Sequence, residues 1–342
     1  MRRLILGIAL AVSSYAQQPA EFHIQPVHPV EHLRREALAT EPPMQIGDFH
    51  KPALVELVKL DPTIKLDIRY ATTNNFLSTP MYEEARAFLQ KPAAEALVRV
   101  SNELHAKGLG LLIHDGYRPW YVTKMFWDAT PADKHDFVAD PSKGSIHNRG
   151  CAVDLTLYDL KTGKELPMPS AYDEMSERAY PNYKGGTEEE RHNRETLREA
   201  MERQGFTVYE YEWWHYNYKD WQHYPVLDVQ FSQIPDPDVQ TDSSRGTQQR
   251  NGKRYVPPEA IFSPDPEYSE AARKEQIKGS LTSWVFVGSD GLVKQVIIYK
   301  PIGYGLDEQA IHAVSKWKFA PATVDGNPVP VMVNISIMFT LH

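Results

Sequence analysis

Apolar residues along the chain change their spacing several times, and each change marks an element. After Pro92, the residues Ala93, Leu97, Val100 and Leu104 fall at i, i+4, i+7 and i+11. That is one face of an α-helix, and Gly108 is placed to stop it. Residues 109–113 then form a short apolar run that predicts a buried strand. It ends in HDGYRPW, where Asp115-Gly116 and Arg118-Pro119 are turn chemistry, so Arg118 should project from a strand end or loop. From 144 to 159 the chain reads GSIHNRGCAVDLTLYD, and Val153, Leu155 and Leu157 alternate as a strand with one buried face. Thr187, with Glu190 three residues later, is a capping-box start for a second helix. Leu197 and Met201 share its apolar face, and Gly205 closes it. Residues 206–211 return as a strand leading into EWWHYNY.

The pattern lapses between 233 and 254, where QIPDPDVQTDSSRGTQQRNGKR reads as a linker. Beyond it, residues 281–287 and 293–299 are strands joined at Ser289-Asp290-Gly291, a hairpin signal. Residues 306–317 form a helix with Ala310, Ala313, Val314 and Trp317 on one face, and 331–339 alternate as a final strand. At the other end, 17–44 is polar, with prolines at 19, 26, 29, 42 and 43. It reads as a poorly ordered leader in which 31–39 is a candidate short helix. The expected organisation is therefore α+β: residues 45–232 form one domain, and 255–342 form a small α+β unit without a cluster of catalytic groups.

Composition narrows this picture. A chain of 342 residues, 42% hydrophobic and 24% charged, is that of a soluble globular protein. The net charge of −8 leaves no basic field, which argues against nucleic acid or an anionic membrane surface as partner. Residues 1–16 read as a secretory signal: Arg2 and Arg3, an apolar stretch 4–12, then Ser14-Tyr15-Ala16. That stretch falls short of the ~20 residues a spanning helix needs. We therefore expect export, to the periplasm or the medium, without a permanent membrane span. Cys151 is the single cysteine, so no internal disulfide can form, and it reads as a small packing residue.

The chemistry centres on Asp154. A carboxylate planted in a buried strand needs a cation or several hydrogen bonds. A metal shared with His147 satisfies that need, with His215 of EWWH as the third ligand. Two imidazole nitrogens and one carboxylate, with an open position for water, make a catalytic zinc site. Glu212 could then take the proton of the attacking water and return it to the leaving amine. Three residues apart in a regular strand, Glu212 and His215 would point to opposite faces, so EWWH must sit in a helical turn, a bulge or a bend. Arg118 would stabilise the oxyanion. Neither H-x6-D nor EWWH alone specifies a metal; the combination with GYRP is far more specific.

DIRYATTNNF, DGYRPW, SIHNRGCAVDLTLYD and EWWHYNY, in that order, resemble the zinc-dependent D-alanyl-D-alanine dipeptidases, the VanX-like branch of peptidase family M15. The resemblance runs from about Met44 to Phe231. It implies a central, mostly antiparallel sheet flanked by helices, and one zinc ion on His147, Asp154 and His215. It further implies Glu212 as catalytic acid/base, Arg118 as transition-state stabiliser, Asp173 in PSAYDE as the group that recognises the substrate's ammonium, and Ser145 in substrate contact. A small closed cavity with Asp173 at the ammonium end would admit free D-Ala-D-Ala and reject longer peptides. Displacement of the loop 177–190 would open the same centre to peptidoglycan stem peptides, making a D,D-carboxypeptidase. A catalytically idle envelope-binding protein is the reading from another class.

PDPEYSEAARKEQIKG, VGSDGLVKQV and LDEQAIHAVSKWKFAPATVDGNPV resemble the C-terminal domain of TonB-type proteins, over about Tyr255–His342. That implies a docking module for an envelope protein or peptidoglycan. The transducer role itself is not expected without a permanent N-terminal anchor.

Overall fold

The computed structural model describes residues 23–236, 248–250 and 252–341, and the signal expected at 1–16 lies outside them. Among the described residues no helix is long and apolar enough to cross a membrane. The polar N-terminal stretch is part of the fold from residue 23, which corrects the leader reading. Helix α1 (Val30–Ala39) buries Leu33 and Ala37, one turn apart, in the main core, and Ile24 is buried with them. Arg34 ties it down by donating to the carbonyls of Pro80 and Met81. Two well-placed apolar side chains were enough to order a segment whose average composition is polar.

The N-terminal unit continues with β1 (Gln45–Ile46), β2 (Leu54–Glu56), the single turn α2 (Leu57–Leu60) and β3 (Lys65–Leu66). Then come β4 (Phe88–Gln90), α3 (Lys91–His105), β5 (Leu109–Asp115) and α4 (Trp120–Ala129). It closes with β6 (Ala152–Asp159), α5 (Glu188–Arg203), β7 (Phe206–Tyr209) and β8 (Glu212–Tyr218). Its five-stranded sheet has the order β3-β5-β6-β8-β7, antiparallel except for the β3–β5 pair. The expected helix after Pro92 is present and buries Ala93, Leu97, Val100 and Leu104. The capping box on α5 is formed, with Thr187 and Glu190 exchanging hydrogen bonds. Strand β6 departs from expectation: it is buried on both faces through Tyr158. Its central place in the sheet, under helices on one side and the site on the other, removes the solvent face.

The C-terminal unit comprises β9 (Gln248–Arg250), β10 (Lys253–Val256), β11 (Glu259–Phe262), α6 (Glu270–Lys274), β12 (Gly279–Val287) and β13 (Val293–Lys300). After these come α7 (Leu306–Val314), β14 (Lys318–Ala320), β15 (Thr323–Val324), β16 (Asn327–Pro328) and β17 (Val331–Phe339). β9 and β10 lie in a sheet of order β16-β15-β10-β9, so the C-terminal end of the expected linker is structured. The principal sheet has the order β1-β13-β12-β17. β1 was expected in the catalytic domain, yet it pairs parallel to β13 through Gln45 and Ile46. The domain boundary at 45 is therefore not a boundary in space. Alternation along the strands gives this sheet two buried faces. Val285, Val287, Val296 and Ile298 pack with α7, whereas Trp284, Phe286, Ile297 and Met332 join the core of the N-terminal unit.

Candidate active site

Three adjacent strands set the site. Asp115 at the end of β5 pairs with Asp154 on β6, and Asp154 pairs with His215 on β8, so the three form a row across the sheet. His147 comes from the 3-10 turn His147–Arg149 that precedes β6. The turn is closed by Gly150 at φ +67°, where an added Cβ would lie 2.5 Å from Leu54 Cδ2. Glycine therefore suits both the backbone and the space between the two candidate ligands. Ser145 and Asn148 secure the turn reciprocally: Ser145 N–H donates to Asn148 Oδ1 (2.7 Å) and Asn148 N–H to Ser145 Oγ (3.1 Å).

His147 Nε2 lies 3.4 Å from Asp154 Oδ1 and 3.1 Å from His215 Nδ1, and that nitrogen is 3.1 Å from Asp154 Oδ1. The outer nitrogens define the tautomers. His147 Nδ1–H donates to the Gly116 carbonyl (2.7 Å), and His215 Nε2–H to Asn217 Oδ1 (2.8 Å). The inner nitrogens then carry lone pairs. Asp154 Oδ2 accepts from the Tyr172 hydroxyl (3.0 Å), while Oδ1 is buried without a hydrogen-bond partner. Three acceptors therefore face one another, all within 4.8 Å, with no donor between them. That holds for neutral imidazoles, and the electrostatics show how strongly the cluster favours a positive charge among them. Burial alone would lower the pKa of His215, but Asp154 raises it. Burial likewise works against the charged form of Asp154, but His147 and His215 hold its carboxyl well below the usual range. The cluster is built around one positive charge, and two imidazoles with one carboxylate are the donor set of a divalent transition metal.

Glu212 Oε2 lies 3.7 Å from His215 Nδ1. β8 manages this by an irregularity on its β7 side: Val208 pairs with Tyr216 but Tyr209 with Glu212, so 213–215 have no partner on β7 while His215 keeps its pairing to Asp154 on β6. Trp213 and Trp214 fill both sides of that bend, each buried. Burial pushes the Glu212 carboxyl up to about 7, and Asp154 adds to the effect, while the charges of His215 and Arg118 oppose it. Arg118 is fixed from below, with Nε and Nη2 both donating to Asp115 Oδ2 (3.0 and 2.8 Å) and its guanidinium over the rings of Phe126 and Tyr70. Asp115, itself buried, also accepts from the Tyr82 hydroxyl (2.7 Å) and the Gly116 N–H (2.9 Å).

Asp173 sits at φ +60° in the loop after β6, and its two oxygens accept from the Tyr70 hydroxyl (3.1 and 3.0 Å). Burial, then the nearby charges of Asp154 and Glu212, push its pKa well above the ordinary value, which a bound cation would relieve. Arg118, Ser145, His147, Asp154, Asp173, Glu212 and His215 all line one cavity of about 830 Å³. That is not the small closed slot expected, since Tyr180 and Tyr211 at its edge are exposed. Cys151 is buried beside the site, with its thiol pKa pushed up by burial, as a packing residue requires.

The partners of these groups escaped the sequence reading. Asn217 is two residues past His215 on the same strand, so period-2 spacing was a usable signal. Asp115 was read only as turn chemistry, although it is the counter-ion of Arg118. Tyr172 and Tyr70 lie within the stretches PSAYDE and DIRYATTNNF, but their contacts with Asp154 and Asp173 arise from tertiary packing.

Comparison with known proteins places the chain in a family. The sequence model described as Peptidase_M15, D-ala-D-ala dipeptidase, matches residues 50–237, and that described as TonB_C, Gram-negative bacterial TonB protein C-terminal, matches 264–341. The chain belongs to peptidase family M15, a metallopeptidase family, and carries a TonB C-terminal domain after its peptidase domain. It is 35% identical over 187 residues to the D-alanyl-D-alanine dipeptidase of Escherichia coli K12, covering 55% of this chain and 95% of that protein. It is 38% identical over 178 residues to the D-alanyl-D-alanine dipeptidase of Enterococcus faecium, covering 46% of this chain and 87% of the relative. The C-terminal part is 34% identical over 78 residues to the TonB protein of Vibrio cholerae, covering 22% of this chain and 32% of that protein.

Proposed function

We propose that this protein is an exported zinc D,D-dipeptidase that hydrolyses free D-Ala-D-Ala. The observation that carries the reading is the convergence of His147 Nε2, Asp154 Oδ1 and His215 Nδ1 with no donor among them, beside Glu212 and Arg118. His147, Asp154 and His215 would hold one zinc ion, which supplies Lewis-acid activation of water and of the scissile carbonyl near neutral pH. Glu212 takes the proton from the attacking water and returns it to the leaving amine, a role suited to a carboxyl poised near 7. Arg118, held rigidly by Asp115, offers positive charge to the developing oxyanion without reorganisation. Asp173, oriented by Tyr70, binds the substrate's ammonium, and Ser145 contacts the peptide from the rim of the turn that carries His147. The signal-like pattern of residues 1–16 supports export to the periplasm or medium, and the TonB C-terminal domain supports an envelope protein or peptidoglycan as macromolecular partner.

The test is release of D-alanine by the zinc-loaded protein from D-Ala-D-Ala and, separately, from a stem pentapeptide ending in D-Ala-D-Ala. Release from the dipeptide alone is the expected result, on the strength of the D-alanyl-D-alanine dipeptidase relatives and not of the cavity's size. Release from the pentapeptide alone would make the protein a carboxypeptidase, and release from neither with zinc bound would make it a binding protein.

A further inference from the structure

Residues 226–229 form a strap that runs between the two units. On one edge it is paired by two side-chain amides from the C-terminal sheet. Gln45 Oε1 on β1 accepts the Val226 N–H (2.8 Å), and Gln295 on β13 donates to the Val226 carbonyl (2.7 Å) and accepts the Asp228 N–H (3.0 Å). Both glutamines are buried, at 8% and 7% exposure, so no water competes for these bonds. The other edge belongs to the candidate active site. Leu227 N–H donates to the carbonyl of Asn148, the neighbour of His147, and the Leu227 carbonyl accepts from Trp120, which opens α4 just after Arg118. The Tyr117 hydroxyl bridges the N–H and carbonyl of Val229 at 2.9 Å each. Asn148 completes the circuit by donating to the Arg118 carbonyl (2.8 Å), and the Arg118 N–H donates to the carbonyl of His147 (3.1 Å). Behind the strap, Trp284, Phe286, Ile297 and Met332 of the C-terminal sheet are buried in the catalytic core.

We propose that the C-terminal unit is a fixed part of the peptidase: its sheet clamps the strap at 226–229, and Gln295 is a positioning residue for the metal ligand His147 and for Arg118. This rests on the proposed metallopeptidase reading of the site. The physical reason is the concentration of backbone bonds on a segment with no regular structure of its own. Each strap N–H or carbonyl that loses its amide partner is a buried polar group left unpaired, so the strap must move to water and take the backbone of Asn148 with it. A small displacement of a metal ligand or an oxyanion donor costs affinity and rate in a way that distant burial does not. The consequence for architecture is that the sheet face opposite α7 is already occupied by this chain's own catalytic unit.

The experiment uses the full-length protein. Gln295→Leu keeps the volume and removes both amide bonds; Gln45→Leu removes the one strap bond from the other strand, together with the amide's local bonds to the carbonyls of Pro43 and Met44. Val285→Ala serves as the comparison, because Val285 packs toward α7 on the opposite face and takes part in none of the strap hydrogen bonds. Zinc affinity is measured by competition with a chromogenic chelator, D-Ala-D-Ala kinetics by D-alanine release, and stability by thermal midpoint. Gln295→Leu is expected to lower zinc affinity and kcat about tenfold each with KM unchanged, the scale of a lost partner behind a metal ligand. Gln45→Leu should move both in the same direction by less, and keeps the test available if Gln295→Leu does not fold. Val285→Ala should lower the midpoint and leave affinity and kcat as they were. Wild-type affinity and kcat in both glutamine variants overturn the proposal, and so does an equal loss in Val285→Ala, which would indicate general loosening. If the wild-type protein releases no D-alanine, the zinc affinities decide alone: a loss confined to the glutamine variants upholds the clamp while the dipeptidase reading fails.

Discussion

Replacing Tyr172 by phenylalanine removes one hydroxyl and leaves its ring where it is. The ring is held by stacking on His114 at 4.6 Å between centroids and by edge contacts with Trp214 at 5.5 Å, none of which uses the oxygen. What disappears is the 3.0 Å bond to Asp154 Oδ2, and with it the group that turns Oδ1 toward His147 and His215. A hydrogen bond to a charged acceptor is worth about 1.5–3 kcal/mol, which would be roughly 10- to 150-fold in an equilibrium constant. The hydroxyl bonds the carboxylate whether or not a metal is present, so only the orienting part of that energy enters metal affinity. The lower end, about tenfold, is the expected loss, in line with the roughly 10- to 100-fold typical of groups behind a metal ligand. Zinc affinity by chelator competition reads it directly, and kcat at saturating zinc should fall by less than the affinity. Zinc affinity within twofold of the wild-type value would refute the reasoning and leave Asp154 oriented by its strand alone.

Two further outcomes follow from the charges. Glu212→Gln should retain zinc, since Glu212 is not among the three converging acceptors, and should lose roughly 10²–10⁴-fold in kcat, the usual contribution of a positioned acid/base; turnover near the wild-type level would remove Glu212 from the mechanism. Asp228 accepts the Tyr121 N–H near the start of α4, and burial pushes its carboxyl up to about 7. A raised folded-state pKa means the group costs nothing below the ordinary carboxyl range, and destabilises progressively as pH climbs toward 7 and through it. At about 1.4 kcal/mol per pH unit the penalty is at most about 4 kcal/mol, and the helix N-terminus reduces it. Asp228→Asn keeps the acceptor and should gain stability over the wild type between pH 5 and pH 8 by urea unfolding; parallel curves for the two proteins would contradict this.

Much of the site was legible because its chemistry is local. His147, Gly150 and Asp154 lie within one turn and the first residues of a strand, and Glu212 and His215 within a single bend of another. Residue types in those short spans already restrict what can be bound. The helix after Pro92 and the capped helix at 188–203 were equally local, since apolar spacing and a capping box act over one or two turns. The small α+β unit at the C-terminus was legible for the same reason, through the hairpin signal between 281–287 and 293–299 and the alternation in 331–339.

What tertiary structure decided was everything that depends on residues far apart in the chain. The order in which Asp115, Asp154 and His215 line up is a property of strand register, which no local pattern specifies. The acceptors that set the tautomers of His147 and His215 are the Gly116 carbonyl and Asn217 Oδ1, and the donor that orients Asp154 is the Tyr172 hydroxyl; two of these three groups arrive from other segments. The short strand 45–46 crosses to the other unit's sheet because an exposed edge of backbone groups beside Ile297 and Ile298 is costly to leave unpaired, whatever the side chains nearby. The apolar faces of the C-terminal strands showed that something would be buried on each side. Only the fold showed that on one side it is the helix at 306–314 and on the other the catalytic core itself, because a face can be satisfied by any complementary surface within reach.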